Sequence, residues 1–137
     1  MTRTLTTEHL QNIALFEQIT NAEVRDCFEY QNRLCFVVEE GDIYQAIGKN
    51  ARNVKNIQDK IDQKIKVVEY NDAPDTFLEN FLKPISVDVK HEDNKLIIQS
   101  PDDKTKGVII GRGGQHLDTI KDILARYFEA FDRIQVK

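Results

Sequence analysis

The sequence predicts an α+β chain built from two copies of one unit. Three observations carry that reading. Sliding the sequence by 63 positions lays Ile47-Gly48-Lys49-Asn50-Ala51-Arg52 over Ile110-Gly111-Arg112-Gly113-Gly114-Gln115. The match continues past the glycines, with Val54 falling on Leu117, Ile57 on Ile120, Asp59 on Asp122 and Ile61 on Leu124. Around each glycine segment, apolar residues recur first at strand spacing, then at helical spacing, then at strand spacing again. Each copy therefore reads helix–strand–strand–helix–turn–helix–strand, which makes a three-stranded sheet with helices packed on one face.

The elements follow in order. Thr6-Thr7-Glu8 forms a helix start, and Leu10, Ile13, Ala14, Leu15, Phe16 and Ile19 recur with a helical period, so a helix is expected over 7–20. Residues 24–30 and 33–39 read as a hairpin around Gln31-Asn32. Glu40-Gly41-Asp42 breaks the second strand and caps a short helix over 43–47. The first glycine turn comes next. A helix over 51–62 carries Val54, Ile57 and Ile61 on one face, and a strand over 65–70 closes the copy. Asn71-Asp72-Ala73-Pro74-Asp75 is the one good linker, dividing the chain into domains 1–72 and 73–137.

In the second copy, Phe77, Leu78, Phe81 and Leu82 mark a short helix over 76–83 that Pro84 stops. Residues 85–90 and 95–100 form a hairpin turning at Glu92-Asp93-Asn94. Pro101-Asp102-Asp103 caps a helix running to Ile110. A long helix is expected over 114–131, with Tyr127, Phe128 and Phe131 in its core face, and a last strand over 133–136.

Composition narrows the function. A 137-residue chain, 40% hydrophobic and 31% charged, suits globular folding and argues against disorder. No apolar run approaches the ~18 residues that span a bilayer, and the polar N-terminus lacks a signal-peptide core. A cytoplasmic protein with no membrane contact is the expectation. Cys27 and Cys35 flank the first hairpin turn. A two-residue loop would set Cys35 opposite Phe28 and point the thiols to opposite faces, whereas a three-residue loop would make them neighbours. Reduced, buried thiols are the expected state, and without a neighbouring histidine they make a poor zinc site.

The net charge of −4 looks wrong for a nucleic-acid binder, but its distribution does not. Residues 48–66 hold six bases (Lys49, Arg52, Lys55, Lys60, Lys64, Lys66) against Asp59 and Asp62. Residues 104–126 hold five (Lys104, Lys106, Arg112, Lys121, Arg126) against Asp118 and Asp122. Positive charge is gathered around the two glycine turns, and the same asymmetry occurs in both copies. The bland reading is that lysines solvate helix faces.

Glycine tolerates positive φ and has no Cβ to hold a phosphate away. Such a turn also presents the N–H groups that open the next helix, a natural anion site. The pattern is not a dinucleotide-binding GxGxxG, and no Gly-Lys-Ser/Thr makes it a P-loop. No nucleophile–base pair or metal-ligand cluster surrounds the turns, and His9, His91 and His116 are scattered. Catalysis, a metal, a cofactor and a small-molecule substrate are all unexpected.

A GxxG turn between two helices, inside strand–helix–helix–strand, resembles the KH domain. Two elements precede that core, which is the type II arrangement. Two such units in tandem resemble the archaeal NusA-like transcription factors. The similarity spans nearly the whole chain, including Phe36-Val37-Val38-Glu39-Glu40-Gly41-Asp42, Ala46-Ile47-Gly48-Lys49 and Ile109-Ile110-Gly111-Arg112-Gly113-Gly114. The resemblance implies binding of single-stranded RNA during transcription elongation or termination, with RNA polymerase or a nascent-transcript complex as a further partner. It implies a loop that grips the RNA backbone while bases lie in an apolar groove beside it. Gly111, Arg112, Gly113 and Gly114 match that loop fully. Gly48-Lys49-Asn50-Ala51 departs from it at Asn50 and Ala51, which puts its approach to phosphate in question.

On this reading, Lys49, Arg52, Lys55, Arg112 and Lys121 neutralise phosphates, and the turns' N–H groups, up to Gln115, position them. Ile47 and Ile110 offer apolar surface to bases. No aromatic residue adjoins either turn, so stacking is not expected to lead. His116 reads as a solvent-facing residue. Two other readings stay open: an RNA-binding adaptor in ribosome assembly or RNA decay, and a protein-interaction scaffold that has lost RNA binding.

Overall fold

The computed structural model describes residues 5–129 and 133–137. The chain divides into two compact units, the first ending at Asn71 and the second beginning at Asp72. Each unit contains a three-stranded sheet, α+β as expected.

In the first unit, α1 spans Thr7–Thr20. Thr6 caps it, its side chain accepting from the His9 N–H at 3.0 Å. Asn21, with φ 58°, ends it, and the Asn21 N–H donates to the Glu17 carbonyl. The strands β1 (Val24–Tyr30) and β2 (Arg33–Val38) form an antiparallel hairpin. Its loop is the two-residue one: Gln31 and Asn32 both have positive φ, the geometry whose twist matches that of the flanking strands. The register sets Cys27 opposite Phe36 and Phe28 opposite Cys35, so the two buried thiols, not joined in a disulfide, point to opposite faces.

The strand β3 (Ile65–Glu69) pairs with β2 in parallel, which gives the order β1-β2-β3. Parallel neighbours need a crossover. Here it is α2 (Ile43–Ile47), the first glycine turn and α3 (Arg52–Ile61). The core under these helices holds Phe16, Cys27, Leu34, Phe36, Val38, Ala46, Ile57 and Ile65. Phe16 of α1 stacks on Phe36 of the central strand, with ring centroids 4.4 Å apart.

The second unit repeats the plan. It comprises α4 (Pro74–Leu82), β4 (Asp88–Glu92), β5 (Lys95–Gln99), α5 (Asp103–Ile110), α6 (Gln115–Ala125) and β6 (Arg133–Val136), with sheet order β4-β5-β6 and β6 parallel to β5. Asp102 caps α5 by accepting from the Thr105 N–H at 2.7 Å, which holds its carboxyl below the usual aspartate range.

Several boundaries differ from the sequence expectation. The helix α4 starts at Pro74 rather than at 76, because proline suits the first helical position. The strand expected from 85 starts at Asp88. The Ile85 N–H turns back to the Leu82 carbonyl after Pro84, and β4 becomes regular only where the Val89 N–H meets the Glu79 carboxylate at 2.9 Å. The long helix expected over 114–131 ends at Ala125. Its last N–H groups switch to closer carbonyls, Arg126 to Ile123 and Tyr127 to Leu124. Tyr127 and Phe128 then turn onto Phe77, with ring centroids 5.2 and 5.8 Å away. Phe131 lies outside the described residues. Among the described residues, no helix is long and apolar enough to cross a membrane.

Burial in the first unit sets a pH limit. It pushes the Tyr30 phenol from 10.0 up to about 12, despite nearby Arg33. It pushes the Cys35 thiol well above its ordinary 9.0, despite Lys66. Both groups are held neutral, so the unfolded chain releases these protons first. Their contribution is complete below pH 9 and is lost as pH rises toward 12. Lys66 acts in the opposite sense, since burial lowers its pKa. With two acids against one base, an alkaline titration followed by circular dichroism should show net loss of stability above about pH 10. The Tyr30 share of the tyrosinate absorbance should rise together with unfolding, not before it.

Candidate nucleic-acid interface

The two glycine turns have the same backbone despite their different sequences. Gly48 and Gly111 sit at φ/ψ of 78°/167° and 77°/172°. The third positions, Asn50 at 55°/32° and Gly113 at 62°/20°, are both left-handed. So are the fourth positions, Ala51 at 59°/28° and Gly114 at 78°/9°. Each turn closes with one bond of 3.1 Å, from the Ala51 N–H to the Gly48 carbonyl and from the Gly114 N–H to the Gly111 carbonyl. Asparagine tolerates this region and alanine pays a steric penalty there, yet the first loop forms.

The glycines serve two distinct needs. At Gly48 and Gly111 the need is both packing and a positive-φ, extended-ψ backbone nearly closed to other residues. A Cβ on Gly48 would stand 2.9 Å from the Asn53 side chain, and one on Gly111 would stand 2.6 Å from the His116 Cβ. At Gly113 and Gly114 a Cβ would meet nothing within 4 Å. There the constraint is positive φ, and the space outside is open for close approach of another molecule.

Asn53 and His116 form a brace that the sequence reading missed. Asn53 Nδ2 donates to the Gln45 carbonyl at 3.0 Å, and His116 Nδ1 to the Val108 carbonyl at 3.0 Å. A carbonyl only accepts, so His116 carries a proton on Nδ1. Each brace ties the helix after the turn to the helix before it, at positions 63 residues apart. His116 is thus half-buried and engaged rather than solvent-facing. The repeat of position was the available signal. It stayed hidden because asparagine and histidine share no sequence similarity, only a donor at comparable reach.

The expected site residues divide by exposure. Lys49, Asn50, Arg52, Lys55, Arg112, Gly113, Gln115 and Lys121 are exposed. Ile47, Gly48, Ala51, Ile110, Gly111 and Gly114 are half-buried, so each isoleucine offers only part of its surface. Lys49, Arg52, Lys55, Arg112 and Lys121 make no ion pair among the described residues, and their charge is uncompensated by close partners. Lys121 stands apart from this group. It lies six residues beyond Gln115, about 9 Å along the α6 axis. Its counterpart in the first unit is Gln58, which accepts the Ile65 N–H. Lys66 does not belong with the turn either: it lies on β3 beside Cys35, partly buried.

Two further expectations change. The first N–H groups of α3 and α6 are partly engaged inside the turns, Arg52 with the Lys49 carbonyl and Gln115 with the Arg112 carbonyl. No side chain of Ala51 or Gly114 caps these helices, which leaves the following N–H groups uncapped by side chains. An aromatic residue does adjoin the first turn. Tyr44 lies four residues before Gly48, its carbonyl accepts the Gly48 N–H at 2.9 Å, and it is 87% exposed. Linear distance hid it, and the helical turn brings its backbone against Gly48. Among the described residues, no group of three or more His, Cys, Asp and Glu could hold a metal.

The model of a family described as KH domain matches residues 11–95. The chain is 38% identical over 126 residues to the probable transcription termination protein NusA of Methanococcus vannielii, covering 89% of this chain and 73% of that protein. It is 31% identical over 132 residues to the protein of the same name from Halococcus morrhuae, covering 94% and 95%. The crystal structure of APE1850 superposes with a TM-score of 0.71 at 26% identity, covering 97% of this chain and all of that one.

The turn geometry gives two expected outcomes. Ala51→Gly relieves a left-handed alanine and should stabilise the protein by about 1 kcal/mol in urea unfolding. His116→Ala removes the brace and should cost about 1 kcal/mol, while His116→Asn, the first unit's own solution, should recover most of it.

Proposed function

We infer that this chain, which belongs to the KH-domain family, binds single-stranded RNA through its two glycine turns and acts in transcription elongation or termination, as the names of its relatives suggest. One observation carries the reading most. Two turns of different sequence keep one backbone, each beside uncompensated cations, and the second leaves open space over Gly113 and Gly114.

Residues 1–72 and 73–137 act as two RNA-binding domains. Lys49, Arg52 and Lys55 in the first, and Arg112 in the second, neutralise phosphates, with Lys121 as a more distant contact. Gly48, Lys49, Asn50 and Ala51, and Gly111, Arg112, Gly113 and Gly114, let the RNA backbone approach, with Gln115 at the head of α6. Ile47 and Ile110 contribute apolar edges for bases. RNA polymerase, or the transcript leaving it, is the partner that such a factor would meet in the cytoplasm. The role is binding rather than catalysis.

The test is fluorescence anisotropy with short single-stranded RNAs at low and physiological salt. Affinity should fall linearly with log salt, and Arg112→Gln should reduce that slope by about 0.7, one phosphate contact on a single strand. Gly113→Asp should weaken binding about tenfold or more with the fold intact, because aspartate tolerates left-handed backbone and its Cβ meets nothing, while its charge faces phosphate. Asn50→Asp should weaken it less. Unchanged affinity in Gly113→Asp would remove the second turn from the site. No salt-dependent binding by the parent would leave a protein-interaction scaffold. Copurification with RNA polymerase separates a transcription role from an adaptor in ribosome assembly or RNA decay.

A further inference from the structure

Folding leaves Tyr44 almost wholly in water. It is 87% exposed, against 54% for Leu10 and 53% for Val108, the other large apolar side chains left outside among the described residues. Its neighbours on α2 face the other way: Ala46 is fully buried, and Ile43 packs against the core of the first unit. The ring therefore adds little to the core. Its backbone is nonetheless well placed, since the Tyr44 carbonyl holds the Gly48 N–H at 2.9 Å. Side chains at i and i+4 share a helix face, with Cβ positions about 5–6 Å apart. Tyr44 thus lies one helical turn before Gly48, with its ring in solvent.

The duplication sharpens the contrast. The residue 63 positions on is Gly107, within α5. A Cβ there would meet nothing within 4 Å, so the same spot in the second unit is open. The two units therefore differ in complementary ways. The second has Gly113 and Gly114 for close approach and no side chain at this spot. The first carries Asn50 and Ala51 on its rim, which hold a phosphate further out, and an aromatic ring at this spot. Lys49, Arg52 and Lys55, without ion-pair partners among the described residues, supply the field that draws a polyanion to the ring.

We propose that Tyr44 is a stacking platform for a base of single-stranded RNA held at the first turn, so that the first unit grips mainly by stacking and the second by backbone approach. This rests on the RNA-binding reading above. Stacking on one side of an exposed ring tolerates any base, and the preference it adds is modest.

The ring's exposure makes its variants safe for folding. Anisotropy with a short single-stranded RNA should show Tyr44→Ala weakening binding about 5- to 150-fold, the roughly 1–3 kcal/mol that one base–aromatic stack contributes. Tyr44→Phe should stay within about twofold of the parent, since the hydroxyl is not needed for stacking. The chain has no tryptophan, so Tyr44→Trp creates a single reporter whose fluorescence RNA should quench. Replacing bases by abasic positions along the strand should erase the difference between parent and Tyr44→Ala at one position. Gly107→Tyr should raise affinity by installing the missing platform in the second unit. If the parent binds RNA while Tyr44→Ala binds equally and Tyr44→Trp is not quenched, the stacking proposal fails alone. The ring would then face some other partner, such as a protein. If the parent binds no RNA, the RNA-binding reading fails and takes the proposal with it.

Discussion

A parallel pair of neighbouring strands cannot be joined by a hairpin, and both units are organised around that constraint. The chain leaves β2 or β5, crosses over the sheet and returns as β3 or β6. It crosses as two helices rather than one, so a sharp turn must lie between them. That turn needs left-handed backbone at two successive residues, closed by a bond to the first glycine's carbonyl. The packing of Gly48 on Asn53 and of Gly111 on His116 then brings the second helix tightly against the first. The surface offered to a ligand is a by-product of this solution.

Seen this way, the glycines of the two turns are not equivalent. The first is required by packing and by a dihedral region nearly closed to other residues, whatever the turn binds. The third and fourth are required only by dihedral angle and by whatever must come close. The first unit shows that asparagine and alanine meet the dihedral demand at some cost in strain. Gly113 and Gly114 in the second unit go beyond what the fold needs, which supports the proposed close approach of a ligand there.

The acidic total charge has a structural explanation. Several carboxylates outside the turns accept backbone N–H groups that no strand or helix satisfies: Glu17 from Val24, Asp42 from Glu23, Glu69 from Gly41 and Glu79 from Val89. Glu39 pairs with Arg25, whose guanidinium also lies 3.7 Å over the Tyr70 ring. Acids here stitch loops to elements, while the bases near the turns keep their charge for solvent or a ligand. A net charge of −4 therefore says little about what either turn can attract.

Much was legible in the sequence because it depends on local chemistry. Periodicity marked the elements, and the 63-residue repeat marked the duplication. Gln31-Asn32 marked the hairpin, and the fold settled its loop at two residues with positive φ. Ends were less legible: α6 stops at Ala125 because Tyr127 and Phe128 have a partner in Phe77, 50 and 51 residues earlier in the chain. The brace was illegible, because asparagine and histidine are alike only in placing a donor near a carbonyl. Tyr44 was overlooked because four residues of separation become adjacency only once α2 has wound. The sequence by itself determined which segments are helices and strands, and where backbone could turn left-handed, because those follow from residue-by-residue sterics and periodicity. The tertiary structure alone decided which side chains are left outside, which cations stay uncompensated and which glycines face open space, because each depends on groups distant in the chain.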